Sequence, residues 1–225
     1  MIISANRKDV VLIDTGGLSN YNVSDNVIDM LNYLGINKID LIILSHGDSD
    51  HCQEISSYIK KKRVEHIKIN YDGLTDCEIT ATDNIDSSEY IFKNMNISFL
   101  NNRLYDNEND NSLISLIEIS NLKLLSMGDA SYKVEQDLLK DYYFKDIDIL
   151  KVGHHGSRTS SSKYFINVIK PTYSVISVGK NNRYGHPNKE ALNNLKNTKI
   201  YRTDKDGSIM FKIGNNNLKI ETYSP

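Results

Sequence analysis

Short, largely apolar runs that end abruptly in aspartate- or histidine-bearing loops constrain this chain more than any other feature. Val10-Val11-Leu12-Ile13 stops at Asp14-Thr15-Gly16-Gly17, and Leu41-Ile42-Ile43-Leu44 stops at Ser45-His46-Gly47. Leu122 to Met127 stops at Gly128-Asp129, and Ile147 to Val152 stops at Gly153-His154-His155. Runs this short, bounded by Gly and Asp, read as buried strands. Further strands are expected at His66 to Asn70, Ile97 to Leu100, Ser112 to Ile119 and Tyr173 to Val178, with three more around Ile200, Ile209 to Ile213 and Leu218 to Thr222. Amphipathic spacing predicts helices over Asp25 to Leu34 with Ser24 as N-cap, His51 to Arg63, Ser87 to Met95, Ser131 to Tyr142, Ser161 to Ile169, and from near Pro187. Such mixing predicts an α/β (α+β) chain of two mixed sheets covered by helices, in a single domain of residues 1–225.

Composition excludes several other classes. With 225 residues, 39% apolar, 25% charged, only 12 Gly and 3 Pro, the chain is neither disordered nor collagen-like. Two cysteines, Cys52 and Cys77, do not make a disulfide framework, and Cys52 reads as a small core residue rather than a ligand. No stretch approaches the roughly 18 apolar residues of a membrane span, so the isolated chain is expected to be soluble. Nor does the start hold the apolar core of a secretory signal. The net charge is −2, yet its distribution is uneven. Asp72 to Asp110 is rich in acids, whereas Lys151 to Lys189 holds none and carries Lys151, Arg158, Lys163, Lys170, Lys180, Arg183 and Lys189. That stretch reads either as a solvated face or as a positive field beside a phosphate-bearing substrate.

Ser45-His46-Gly47-Asp48-Ser49-Asp50-His51 places four potential ligands within six residues at the end of a rigid strand. Imidazole nitrogen and carboxylate oxygen are donors that zinc and manganese accept. In extended geometry His46, Asp48 and Asp50 project to one side. Asp129 ends another strand and has two oxygens with which to bridge cations. In Gly153-His154-His155-Gly156-Ser157 the glycines are expected to let the backbone approach a ligand, and one of the two adjacent histidines to face a metal. Pro187 is expected in a first helical turn that presents His186 to phosphate. His66 reads as structural.

Together these motifs resemble the metallo-β-lactamase superfamily, and more closely the metallo-hydrolase domain of the ComEC family of bacterial DNA-uptake channel proteins. The resemblance is carried by Leu12-Ile13-Asp14-Thr15-Gly16, Asn109-Asp110-Asn111-Ser112-Leu113, Gly128-Asp129-Ala130, Lys151-Val152-Gly153-His154-His155-Gly156-Ser157 and Ser177 to Pro187. Asp48 stands where the wider superfamily has a second histidine. The family's Val-Gly-Gln-Gly-Asp turn before the Asp14 block, and the strand that opens it, are expected to be missing. Cys52-Gln53-Glu54 replaces its usual Gly-Gly, and its membrane-spanning region is absent from these residues.

The resemblance implies an αββα sandwich and two divalent ions, Mn²⁺ or Zn²⁺. One ion would be held by His46, Asp48 and Asp129, the other by Asp50, His51, Asp129 and His154. His155, His186, Ser157 and Asn109 become candidates for substrate contact or proton transfer. The implied activity is phosphodiester hydrolysis, with single-stranded DNA as substrate and the channel region of a longer protein as partner, at the outer face of the cytoplasmic membrane. Two other readings are a phosphodiesterase for teichoic acid, phosphocholine or small phosphoesters, and a non-catalytic domain that guides DNA.

Overall fold

The computed structural model describes residues 1–5, 7–17, 23–69, 88–100, 103–214 and 218–224. The chain divides into two compact units, Met1–Asn121 and Leu122–Pro225.

The first unit opens with β1 (Ile2–Ala5), β2 (Asp9–Ile13), α1 (Val23–Tyr33), β3 (Lys38–Ile43), α2 (Ser49–Cys52), α3 (Ile55–Lys61) and β4 (Arg63–Lys68). The strands lie in the order β1-β2-β3-β4. The β1–β2 pair is antiparallel, whereas β2–β3 and β3–β4 are parallel. Consecutive residues of β2 and β3 are buried, Val11 with Leu12 and Leu41 with Ile42. Both faces of these strands are therefore covered, which is why the runs are continuously apolar instead of alternating. One face packs Val10, Leu12, Ile42 and Leu44 with Ile28 and Leu31 of α1 and with Cys52, Ile55 and Tyr58. Burial pushes the Tyr58 hydroxyl far above its ordinary pKa. Antiparallel β5 (Glu89–Ile91), β6 (Met95–Phe99) and β7 (Ser115–Ile119) complete the unit.

The second unit holds β8 (Leu122–Ser126), α4 (Tyr132–Asp141), β9 (Ile149–Lys151), α5 (Lys163–Ile169), β10 (Tyr173–Ile176), α6 (Lys189–Asn194), β11 (Lys199–Arg202) and α7 (Thr203–Asp206). Strands β8, β9, β10 and β11 are successive parallel neighbours, and a hairpin of β12 (Ser208–Ile213) and β13 (Leu218–Tyr223) follows. Parallel pairing puts every carboxyl end on one edge, so the loops at Met127, Val152 and Ser177 leave from the same side. Helices α4 and α5 begin on side-chain caps: Ser131 accepts from Lys133 N–H, and Ser162 from Phe165 N–H.

Several expectations need correction. The helix expected over Ser87 to Met95 is a hairpin of β5 and β6 among the described residues; Ser87 lies outside them. Pairing explains it, since Ile97 sits opposite Ile117 while Met95, Ile97 and Phe99 point inward and Asn96 outward. The helix expected over His51 to Arg63 is two short helices, α2 and α3, and Arg63 already belongs to β4. At the break, Glu54 N–H donates to Gly16 O (3.3 Å), and Ser24 Oγ bonds Glu54 Oε2 (2.7 Å). That tie also explains why Ser24 lies inside α1 rather than capping it. Helix α6 starts at Lys189 with Asn188 as its cap, so Pro187 precedes the cap instead of occupying the first turn. Strand β1 and helix α7 were not expected, and β1 supplies an opening strand beside β2. Asn70, Cys77 and most acids of the Asp72–Asp110 stretch lie outside the described residues.

The loop after His154-His155 is held from below by a buried carboxylate. Glu135 accepts from Ser161 N–H (2.5 Å) and Ser162 N–H (2.9 Å). Burial raises its pKa, and the two donors oppose that shift. Replacing Glu135 with Ala strands two backbone donors, so the folded state should lose about 1–3 kcal/mol, read as a lower denaturant midpoint. Glu135→Gln keeps one acceptor and should lose less.

Candidate functional site

Each unit carries a cluster of its own. In the first, the β2–β3 register sets Ile13 beside Ile43, so both chains leave the sheet together. Asp14 takes φ 57°, a left-handed conformation at the strand end. Its N–H donates to Ile43 O (2.8 Å), and its Oδ1 accepts from Ser45 N–H (2.8 Å). Oδ2 lies 3.1 Å from His51 Nδ1. A carboxylate only accepts, so this contact fixes the proton on Nδ1 and leaves Nε2 as the basic nitrogen.

Ser45 Oγ sits 3.0 Å from His46 Nδ1 and 3.1 Å from His51 Nδ1. The hydroxyl can bond His46 Nδ1, while the single His51 Nδ1 proton is shared between Asp14 Oδ2 and Ser45 Oγ. Thr15 fastens the far side of the turn, with N–H and Oγ both donating to His51 O (2.7 and 3.1 Å). The two rings lie 4.2 Å apart, and both residues are 2% exposed or less. His46 Nε2, buried, comes no nearer to Asp48 Oδ2 than 3.5 Å, which is long for a hydrogen bond. That nitrogen is the feature best suited to a metal: a desolvated donor beside a carboxylate with no proton-sharing geometry. Asp50 Oδ2 lies 3.8 Å from His51 Nε2.

Asn109 occupies a 3-10 turn, Glu108–Asn111, where its N–H donates to the Asn107 side chain. The same loop reaches the cluster instead through Leu113 N–H, bonded to Ser45 O (2.7 Å), and through Ser112 Oγ, 3.5 Å from His46 Nδ1. Cys52 is fully buried among core residues, as expected, while His66 is exposed on β4.

In the second unit, Asp129 is buried in the turn after β8. His154 and His155 both take positive φ, 47° and 52°. This double curl brings both Nε2 atoms to 3.7 Å from Asp129 Oδ2, so both rings face the carboxylate where one was expected to. His155 Nδ1 donates to Ser177 O (2.7 Å), which again leaves Nε2 as the basic nitrogen. Spacings of 3.7 Å are too long for hydrogen bonds but fit N and O donors placed around a common ion.

The flanking glycines are also needed for packing. A Cβ on Gly153 would sit 3.1 Å from Ala130 O, and one on Gly156 only 2.6 Å from Pro187 Cβ. Ser157 is buried, its hydroxyl 3.1 Å from that of Thr159. His186 lies with its ring 5.7 Å from that of His154. Burial, and then the neighbouring His154 and His155, hold its pKa below the ordinary histidine value.

Asp14, Ser45, Ser112 and the carbonyl of Ser177 complete these clusters without having been singled out as site residues. Only Asp14 left a signal in the sequence, as a carboxylate that ends an apolar run. Asp14→Asn should present an amide donor to His51 Nδ1 and move the ring proton to Nε2. The expected outcome is a switched tautomer of His51 in ¹⁵N NMR spectra with the fold retained.

Residues 1–73 match the model of the metallo-β-lactamase superfamily. The chain is 29% identical to "ComE operon protein 3" of Bacillus subtilis, a match covering 96% of the chain and 31% of that protein. It is equally identical to "Competence protein ComA" of Neisseria gonorrhoeae (98% and 31%) and to "Recombination protein 2" of Haemophilus influenzae (94% and 27%). The chain thus spans less than a third of the length of these relatives. Among solved structures, it resembles a putative metal-dependent hydrolase from Parabacteroides distasonis, with TM-score 0.54, 13% identity, and coverage of 87% of this chain and 85% of that one. It also resembles a CmlA β-hydroxylase mutant, with TM-score 0.55, 11% identity, and coverage of 87% and 49%. The expected fold class and the resemblance to ComEC-family competence proteins are both borne out.

Proposed function

We propose that this metallo-β-lactamase-fold chain is a metal-dependent phosphodiester hydrolase that degrades one strand of DNA during bacterial DNA uptake. The observation that carries the reading is His46 Nε2, a buried imidazole nitrogen held beside a carboxylate at a distance that neither bonds nor solvates it. In this reading residues 1–225 act as one domain. His46, Asp48 and Asp129 would hold one cation, and Asp50, His51, Asp129 and His154 the other. The mixed imidazole–carboxylate set suits zinc or manganese. Divalent ions in such a site supply a water of lowered pKa and positive charge opposite the phosphoryl oxygens.

The chain's own residues set the geometry and move the proton. Asp14 and Ser45 fix the imidazoles of His51 and His46 by their Nδ1 atoms, so the donor nitrogens need no reorganisation on binding. His155, anchored through Nδ1 to Ser177 O, can give or take a proton at Nε2 and so protonate the leaving oxygen. His186, Asn109 and Ser157 are assigned contacts with substrate. Similarity to competence proteins supports DNA over other phosphodiesters, and the exposed cations Arg158, Lys163, Lys170, Lys180, Arg183 and Lys189 favour a polyanion.

No helix among the described residues is long and apolar enough to cross a membrane. In this reading the domain is tethered at the outer face of the cytoplasmic membrane by the channel region of a longer protein.

Protein purified without chelator should carry zinc or manganese in elemental analysis, and Asp129→Ala should lose it. With Mn²⁺ and single-stranded DNA, wild-type protein should cleave, and Asp129→Ala should be slower by more than about 100-fold, beyond the loss typical of residues that merely orient ligands. Turnover of small phosphodiesters without DNA cleavage would overturn the nuclease assignment. DNA binding without cleavage by metal-loaded protein would leave a guiding role.

A further inference from the structure

The loop between β10 and α6 presents a ladder of planar groups whose outermost ring, Tyr184, the hydrolytic reading does not use. Tyr184 is 64% exposed, although aromatic rings ordinarily seek burial. Its ring stacks on that of His186, 5.9 Å between centroids with 20° between planes. The Arg183 guanidinium carbon lies 4.9 Å from the Tyr184 centroid, and Arg183 Nη2 donates to the Tyr184 hydroxyl (2.6 Å). His186 in turn meets His154. The ladder therefore runs from solvent to the Asp129–His154–His155 cluster within one unit.

Its backbone is set independently of the tyrosine. Asn182 Oδ1 accepts from His186 N–H (2.9 Å), while its Nδ2 donates to His186 O (2.7 Å) and Gly179 O (3.2 Å). A rigid loop that holds a large ring in water beside a cation has the makings of a stacking surface for an aromatic ligand. Every nucleobase offers a π-face, and a guanidinium beside it adds attraction for both base and phosphate.

We infer that Tyr184, with Arg183, is a nucleobase-stacking platform that makes the site select nucleic acid over phosphodiesters lacking a base. This deepens the nuclease reading by naming what the enzyme recognises beside the phosphate. The ring supplies the stacking surface, the guanidinium supplies charge, and Asn182 supplies the rigidity that keeps both exposed.

The test compares a radiolabelled oligothymidylate with an abasic deoxyribose-phosphate strand of equal length, using the full chain. Binding is measured by filter retention without divalent ions, and cleavage separately with Mn²⁺. Wild type should bind the oligothymidylate more tightly than the abasic strand. Tyr184→Ala should weaken oligothymidylate binding by about 5- to 150-fold, the usual range for one lost base–aromatic stack, and abolish the preference. Tyr184→Phe, which keeps the ring and loses only the hydroxyl bond to Arg183, should retain it. Equal wild-type binding to both strands, binding to neither, or a Tyr184→Ala loss shared equally by both would overturn the platform. Base-dependent binding without any cleavage would instead sink the hydrolase reading and leave the platform standing.

Discussion

The parallel register of β2 and β3 is the constraint on which the first cluster depends. Because Ile13 pairs with Ile43, the next residue of each chain leaves the sheet at the same level. Asp14 then reaches Ser45 N–H and His51 Nδ1 at once. A slip of one residue would turn every side chain of a strand to the opposite face. The buried pairs Val11–Leu41 and Leu12–Ile42 resist that slip, since either face would lose its packing. Core packing thus sets the positions of polar atoms that take no part in the core. The same logic governs the second unit, where β8, β9 and β10 run parallel and the turns at Asp129, His154 and Ser177 leave one edge together.

Elements with a strong local signal were legible in the sequence, and those decided by partners were not. The runs at β2, β3, β8 and β9 are too apolar and too short to be anything but buried strands. Helices α4 and α5 carry both an apolar face and a serine cap. By contrast, Ser87 to Met95 reads as an amphipathic helix by itself, and only strand pairing reveals Glu89–Ile91 as the partner of the strand that was legible around Ile97. The break between α2 and α3 depends on Glu54, whose partners Gly16 and Ser24 lie some thirty or more residues away. No window along the chain contains that information.

In the site, residue types were legible but orientations were not. The His-x-Asp-x-Asp-His spacing identifies donors, yet the proton positions that make them useful depend on Asp14, Ser45 and the Ser177 carbonyl. The His154-His155 pair shows the limit most clearly. Adjacent side chains ordinarily diverge, but two consecutive left-handed residues turn both rings toward Asp129. That strain costs of order 1–3 kcal/mol per residue and persists only where the surroundings enforce it. Here Gly153 and Gly156 allow the enforcement, because a Cβ would crowd Ala130 O at the first and collide with Pro187 at the second.

Charge and stacking answer different demands on a polyanion-binding surface. A chain of net charge −2 gains little long-range attraction to nucleic acid, so any positive field must be local. In the proposed reading the exposed cations between Arg158 and Lys189 would provide one, but contacts with phosphate weaken steeply as salt rises and do not distinguish one phosphodiester from another. An exposed aromatic ring adds attraction that salt screens far less and that requires a base. Tyr184 sits among these cations, on the loop that also carries His186, so the proposed discrimination would be exerted next to the groups that would meet the phosphate. A surface built from cations alone would bind teichoic acid and DNA on similar terms; adding one immobilised ring separates them.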